Sequence, residues 1–453
     1  LMNSSLGWLG IVRLGLVQTA LGAIIVLTTS TLNRIMVVEL ALPAMLPGFL
    51  VAVHHIVQLA RPRIGHGSDL GGRRTPWIIG GMLVLASGGF LAALGTALMT
   101  DNLWLGSAVG FLGFFAIGLG SGATGTSLLV LLAKQVSPER KPAAATIVWF
   151  MMIAGFAITA GVAGQFLDPY SHGRLLTVTG TVSVGAVLLT LVAIRGVEPT
   201  TLPAATHTST SDSPAFGKAL AAVWAEPAAR RFTVFVFISM LAYSLQDLIL
   251  EPFAGLAFGM TPGQSTALAG TQHGGVLGGM LAVAITGSLF KKASAVLLRR
   301  WLIVGCVASA AALIGLAWGG LHPGNWQLSL NVFVLGFANG AFAVAAIASM
   351  MMLASEGRSG KEGLRMGLWG AAQAIAFALG GFSGTVAADL ARQWLTEPAL
   401  AYGAVFLFEA ALFIVSAQLG AGIRVPANTG SDASSQPRFG DIAMHEMMDG
   451  GVP

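Results

Sequence analysis

Charged side chains are scarce in this sequence: Asp, Glu, Lys and Arg together make up 9% of its 453 residues. A soluble domain carries about 25% charged residues, so this shortage excludes an ordinary water-soluble surface. Apolar residues make up 55% of the chain. They recur in runs of about 18 or more residues, the length that crosses a bilayer as an α-helix. The composition therefore predicts a helical protein that spans the membrane many times.

Cysteine and the common catalytic motifs are also nearly absent. Cys306 is the single cysteine, which excludes an internal disulfide and a CxxC site. The phosphate-binding pattern GxxxxGK[ST] and the zinc pattern HExxH are both missing, and no nucleophile and base can be placed on one helix face. The sequence therefore predicts no catalytic residues, no ATP-driven pump within this chain and no enzyme.

The apolar runs predict twelve transmembrane spans. They lie near 12–38, 44–62, 76–99, 105–133, 143–166, 174–196, 231–256, 265–290, 299–320, 326–354, 364–388 and 399–422. The first run is too long for a signal-peptide core and no small-residue cleavage site follows it, so we expect a retained helix.

The basic residues predict the orientation. If the N-terminus is cytoplasmic, all but three of the 24 Lys and Arg residues fall on the cytoplasmic side, the exceptions being Arg34, Arg174 and Arg392. The positive-inside rule then places both termini in the cytoplasm. The net charge of +5 is explained by loops that face anionic lipid headgroups. Because no compact basic face exists, we expect no nucleic-acid partner.

A polar segment divides the chain. Residues 198–229 are rich in Ser, Thr and Pro and predict a flexible cytoplasmic linker. Six predicted spans precede it and six follow, which is typical of two halves around a cavity. We therefore predict an N-terminal six-helix half at 1–197, a C-terminal half at 230–423 and a disordered cytoplasmic tail at 424–453.

A short basic loop joins the second and third predicted spans. It has the pattern GxxxDxxGRR, formed by Gly65, Asp69, Gly72, Arg73 and Arg74. This pattern resembles the signature loop of the major facilitator superfamily. The resemblance implies an all-α integral membrane protein with that superfamily's fold, 12 transmembrane helices in two six-helix halves. It also implies that the loop acts at the cytoplasmic side when the halves rock.

Ionisable residues inside the predicted spans need a reason, since each costs about 2.5–3.5 kcal/mol at the bilayer centre. Two polar clusters occupy corresponding positions in the first and seventh spans: Asn33, Arg34 and Glu39, and Gln246, Asp247 and Glu251. We expect Arg34 to face Asp247 across the cavity. The pattern fits a structural ion pair and also a proton-coupled transporter in which Asp247 or Glu251 carries the proton.

Histidine and glycine supply further candidates. His54 and His55 are predicted halfway along the second span, and His273 lies in the eighth. A neutral imidazole either ligates a metal, including the magnesium of a chlorin ring, or bonds to a neighbouring helix. Glycine pairs at four-residue spacing predict close helix contacts, and they are Gly118 and Gly122, Gly274 and Gly278, Gly275 and Gly279, and Gly380 and Gly384.

A narrower resemblance is carried by LNRIMVVELALPA at 32–44 and QDLILEPFAG at 246–255, together with His54, His55 and RPRIG at 61–65. These stretches resemble the PucC/LhaA family, the bacteriochlorophyll delivery branch of the major facilitator superfamily. The resemblance covers most of the chain, roughly from Leu6 to Ile423.

That resemblance implies an assembly factor for the light-harvesting complexes LH1 or LH2 of purple bacteria. It implies bacteriochlorophyll as cargo rather than catalytic cofactor, with no metal beyond the pigment's magnesium. The implied pigment-binding residues are His54, His55, His273 and Glu251. The implied location is the bacterial inner (intracytoplasmic photosynthetic) membrane. The implied partners are light-harvesting α and β polypeptides, with reaction-centre assemblies and pigment-synthesis enzymes as further partners.

Two other functions stay open on the residues alone. One is a proton-coupled major facilitator solute transporter. The other is a non-transporting membrane scaffold that binds antenna helices through its small-residue faces.

Overall fold

The computed structural model describes residues 6–58, 73–137, 140–198, 224–289, 294–355 and 362–423. The chain is almost entirely helical over these residues, and a helix is found at each of the twelve predicted spans. Three residues of the loop motif (Gly65, Asp69 and Gly72), most of the predicted linker and the predicted tail lie outside the described residues.

The helices are α1 (Trp8–Val26), α2 (Met45–Val57), α3 (Thr75–Leu98), α4 (Leu103–Gln135), α5 (Lys141–Leu167), α6 (His172–Ile194), α7a (Pro227–Leu245), α7b (Leu250–Phe258), α8 (Pro262–Leu289), α9 (Ser294–Leu321), α10 (Leu328–Ser355), α11 (Glu362–Trp394) and α12 (Pro398–Ala421). Several helices, such as α9 and α11, extend beyond the apolar runs that predict them, whereas α2 is shorter than its predicted run. Helix α7a thus begins inside the segment predicted as linker. A proline in its first turn suits a helix start, since the missing N–H would have no partner there.

Among the described residues, nine helices are long and apolar enough to cross a membrane, and α7a with α7b forms a tenth candidate that is bent by 44°. Helix α2 is shorter, at 13 residues, and α11 does not meet the same criterion. The structure therefore confirms a multi-span helical membrane protein, whereas twelve full crossings are not fully confirmed.

The short described connections after α1, α3, α5, α7b, α9 and α11 turn the chain back across the bundle, which defines two sides. We call the side on which α1 begins the N-terminal face and the opposite side the distal face. The buried apolar residues form two main clusters, one from residues 11–197 with Leu248 and the other from residues 229–423. Each cluster is the core of six consecutive spans. The domain boundaries at 197 and 230 stay predictions.

Helices α3 and α4 pack backbone against backbone along a ladder of glycines at seven-residue spacing. A Cβ added to Gly88 would lie 2.7 Å from the Ile117 nitrogen, and one added to Gly113 would lie 2.5 Å from the Ala92 nitrogen. A Cβ would meet the backbone of the facing helix in this way at all six glycines of the ladder, which are Gly81, Gly88 and Gly95 on α3 and Gly106, Gly113 and Gly120 on α4. Without these glycines the two helices could not approach so closely.

The predicted four-residue glycine pairs are right in part. A Cβ at Gly279 would lie 2.1 Å from the carbonyl oxygen of Phe337 on α10, and one at Gly384 would lie 2.3 Å from that of Leu245 on α7a. Gly274, by contrast, has open space around its Cβ position. Sequence spacing identifies a helix face made of small residues, but it does not show whether that face contacts a neighbouring helix.

Candidate functional site

The first span loses regular α-helical geometry where its polar residues begin. Two π-helical segments, Leu27–Leu32 and Ile35–Glu39, follow α1. The hydroxyls of Thr28 and Thr29 both donate to the carbonyl oxygen of Ile25, at 2.8 and 3.1 Å. Such side-chain donors compete with the backbone ladder, and π-helical turns are frequent at functional sites.

The seventh span is broken rather than continuous, which corrects the prediction of one helix over 231–256. A 3₁₀ turn at Gln246–Leu248 separates α7a from α7b. Pro252 has no N–H, so the carbonyl of Leu248 has no donor four residues further along the helix. Asn33 supplies that donor instead, because its side-chain amide donates to the Leu248 oxygen at 2.7 Å. The two motif regions of the sequence thus meet at the break.

Arg34 is buried, with 2% of its surface exposed, and its partners differ from the predicted one. It forms an ion pair with Glu39 on its own helix, and it donates to the carbonyl oxygen of Met260 at 2.5 Å. The predicted pairing with Asp247 is therefore wrong. The backbone hydrogen bonds of a π-helix join residue i to residue i+5. This geometry brings Glu39 beside Arg34, and an α-helical spacing does not predict it.

The end of α7b explains the second partner of Arg34. The helix ends at Gly259, whose φ of +65° suits glycine. The free carbonyls of a helix C-terminus attract a cation, and Arg34 reaches the carbonyl of Met260 just past that end. Gly255 permits this approach, since a Cβ there would lie 3.1 Å from the Arg34 guanidinium.

An acidic group lies beside the break in the seventh span. The side chain of Asp247 is exposed, whereas Glu251 and Glu409 are buried. Asp247 lies within electrostatic range of both glutamates. Among the described residues, neither carboxylate oxygen of Glu409 has a hydrogen-bond partner. The sequence offers Glu409 in the last span as a residue that caps a helix contact or carries a proton, and only the tertiary fold, which brings α12 to α7, shows that it belongs to this group.

His273 lies near the middle of α8, against Phe156 of α5, with ring centroids 5.0 Å apart. Its Nδ1 lies 2.8 Å from the carbonyl oxygen of Ala269. A carbonyl only accepts, so Nδ1 carries the proton and Nε2 keeps its lone pair. This second-sphere bond is typical of histidines that ligate a metal.

His54 and His55 lie in the last turn of α2 rather than halfway along the span. Their rings stack at 4.7 Å, and His54 Nε2 lies 2.6 Å from the side-chain nitrogen of Gln58. The four predicted pigment-binding residues therefore occupy three places: the end of α2, the middle of α8 and the start of α7b, where Glu251 lies. Within the residues that the structure describes, no group of three or more His, Cys, Asp or Glu is arranged to hold a metal ion.

Arg73 and Arg74, the described part of the loop motif, lead into α3. The carboxylate of Glu198 accepts hydrogen bonds from the backbone N–H groups of Arg74 and Thr75, both at 2.7 Å. This contact caps the N-terminus of α3. A cavity of about 540 Å³ opens here, lined by Arg73, Arg195 and Glu198 among others.

A second cavity of about 570 Å³ lies at the distal face and is lined by both halves, including Arg34, Glu39, Tyr170 and Met260. Tyr170 lies in the connection between α5 and α6. Burial, together with the negative charge of Glu39 and against the opposing charge of Arg34, raises the pKa of Tyr170 to about 12. The phenol is therefore neutral at physiological pH and can donate a hydrogen bond into this cavity.

Comparison with known proteins gives a family match and full-length relatives. The family model described as PUCC protein matches residues 31–426. A protein named "Bacteriochlorophyll synthase 44.5 kDa chain" from Rhodobacter capsulatus is 53% identical over 420 residues, which covers 92% of this chain and 96% of that protein. A "Protein PucC" from Rhodobacter capsulatus is 29% identical over 431 residues, which covers 90% of this chain and 90% of that protein.

Solved structures share the fold at low sequence identity. The nucleoside transporter NupG superposes with a TM-score of 0.65 at 14% identity, covering 91% of this chain and 98% of that one. A D-xylose–proton symporter gives a TM-score of 0.66 at 14% identity, with 93% and 98% covered. At this identity the likeness bears on architecture alone.

Proposed function

The chain belongs to the PUCC family, and on that premise we propose that it carries bacteriochlorophyll to light-harvesting polypeptides within the membrane. It is a multi-span membrane protein with the major facilitator fold. The observation that carries the proposal is the 53% identity, over 92% of the chain, to a protein named as a bacteriochlorophyll synthase chain. The partners we propose are the α and β polypeptides of LH1 or LH2, reaction-centre assemblies and pigment-synthesis enzymes.

His273 is the residue whose surroundings best suit a pigment ligand. Magnesium at the centre of a chlorin accepts a neutral imidazole nitrogen, and the bond to Ala269 leaves Nε2 as that nitrogen. The adjacent Gly274 has nothing within 4 Å of its Cβ position. A large flat ring can approach such a surface more closely than it can approach a branched side chain.

We expect His273→Phe to lower the pigment bound per protein by at least about tenfold, since losing even an outer-sphere partner of a metal ligand typically costs about that much. The measurement is near-infrared absorbance of protein extracted gently from a phototroph, normalised to protein. His322→Phe is the matched control. Its ring also contacts the carbonyl four residues earlier, that of Trp318 at 3.1 Å, but it lies exposed at the distal end of α9.

Equal absorbance in wild type and His273→Phe would exclude His273 as the ligand without excluding pigment delivery. Delivery itself is tested by deletion of the gene: we propose that antenna absorbance falls, and unchanged antenna abundance would contradict the assembly role. A pull-down that identifies pigments and antenna polypeptides together would separate a carrier from a scaffold that binds helices alone.

We propose a carrier rather than an enzyme. The relative's name links that protein to pigment synthesis, and a chain that accepts the product of a membrane-bound synthase would fit such a name without catalysing the reaction. We further propose that the N-terminal face is cytoplasmic in the bacterial inner (intracytoplasmic photosynthetic) membrane. Reporter fusions within 198–229 test this orientation, because an external reporter would contradict it.

The acidic group beside the break favours one second candidate, a proton-coupled solute transporter. Broken helices with ionisable groups form coupling sites in transporters, and Asp247 is exposed at such a break. Solute-dependent proton uptake in proteoliposomes, lost in Asp247→Asn, would support this function over pigment delivery.

A further inference from the structure

A set of side-chain hydrogen bonds joins the two halves toward the distal face of the bundle. It includes the bond at 2.9 Å between the hydroxyls of Thr31 and Thr266. Asn33 and Arg34 supply two more. The remaining bonds come from two aspartates, and those two have matching positions in the halves.

Asp168 follows the last residue of α5 and caps a helix of the other half. One carboxylate oxygen accepts from the backbone N–H of Gly263 at 3.1 Å, and the other accepts from the hydroxyl of Thr261. Helix α8 begins at Pro262. The carboxylate therefore satisfies a first-turn N–H that has no partner within its own helix, and it lies at the positive end of the helix dipole.

Asp389 does the same in the opposite direction. It lies in the last turns of α11 and accepts from the backbone N–H groups of Ala44 at 2.9 Å and Met45 at 2.7 Å. Helix α2 begins at Met45. The first turn of a helix in the N-terminal half is thus capped by a carboxylate from the C-terminal half.

The two contacts are equivalent in the fold. Helices α5 and α11 are the fifth spans of their halves, and α2 and α8 are the second spans. Each cap lies beside a close helix crossing. A Cβ at Gly263 would lie 2.3 Å from the Gly164 oxygen, and one at Gly48 would lie 2.1 Å from the Thr385 hydroxyl.

We propose that Asp168 and Asp389 act as a matched pair of caps that hold the two halves together at the distal face. Each cap ties a helix end of one half to a helix start of the other, so opening the distal face requires both to be released. This device does not depend on which cargo the chain carries.

The test measures the separation of the halves at the distal face. Spin labels on Gly173→Cys and Gly324→Cys, in a Cys306→Ala background, report one exposed distal site in each half. Both glycines have open space around their Cβ positions. In otherwise unmodified protein we expect a single short-distance population by pulsed electron resonance. Asp168→Ala with Asp389→Ala removes both side-chain acceptors and should add a second population at longer distance, and each single substitution should add less of it.

Asp101→Ala is the matched control, since this exposed aspartate lies in the distal connection between α3 and α4 within one half. A folded double variant with the unmodified distance distribution would overturn the proposal. If the double variant does not fold, hydrogen exchange on the unmodified chain tests the two caps instead. The first-turn amides of Gly263, Ala44 and Met45 should then exchange more slowly than that of Ala399 in the first turn of α12, whose N-cap residue Glu397 makes no side-chain cap, and equal rates would overturn the proposal.

Discussion

Gly113→Ala is expected to destabilise the folded protein strongly, whereas Gly125→Ala on the same helix is not. A methyl group at Gly113 would lie 2.5 Å from the Ala92 nitrogen, 2.8 Å from its Cα and 2.9 Å from the Gly88 oxygen. All three are backbone atoms, so no side chain can rotate away, and α3 and α4 would have to separate. Overpacking of this kind costs about 1–3 kcal/mol and occasionally more.

The matched control isolates packing from helix propensity. Gly125 has nothing within 4 Å of its Cβ position, so alanine there meets no neighbour and gains up to about 1 kcal/mol of helix preference. Thermal unfolding of both variants in the same detergent, followed by circular dichroism, compares them directly. Similar melting temperatures for the two variants would contradict the glycine ladder as the basis of this helix pair.

Asn33→Leu is expected to destabilise the protein by about 1–3 kcal/mol, the cost of leaving a buried polar group without a partner. The group in question is the carbonyl of Leu248, which Asn33 satisfies at 2.7 Å because Pro252 cannot. The effect should therefore depend on residue 252. In a Pro252→Ala background the new N–H can bond to Leu248 within the helix, so the same Asn33→Leu substitution should cost less.

A double-mutant cycle measures that dependence as a coupling free energy between Asn33 and Pro252, for which contacting groups give about 0.5–3 kcal/mol. The measurement is the free energy of unfolding of the original chain, both single variants and the double variant. If Asn33→Leu costs the same in both backgrounds, the Leu248 carbonyl is not what Asn33 stabilises.

The architecture could be predicted from the sequence because it follows from apolar runs, which need no tertiary information. A helix is found at every predicted span, including α2, although its 13 residues make it shorter than the span predicted over 44–62. What could not be predicted is departure from regular helix geometry. The Arg34–Glu39 pair depends on a π-helical repeat, and the break at Leu248 depends on a proline whose effect is compensated from another span.

The candidate site was predictable as a list of residues and not as an arrangement. Polar side chains in apolar runs identify Asn33, Asp247 and His273 without a structure, because lipid makes such residues costly. Their partners lie on distant spans, as Phe156 does for His273. Asp168 and Asp389 were not singled out, because an aspartate near a span end is unremarkable until the helix start that it caps is known.

The equivalent placement of Asp168 and Asp389 has a consequence for the relation between the two halves. Asp168 follows the last residue of α5 and Asp389 lies in the last turns of α11, and each reaches the start of the other half's second span. Reciprocal contacts of this kind are those of a twofold arrangement, in which each half presents the same surface to the other. A change at one aspartate therefore removes one of two equivalent contacts and leaves the other in place.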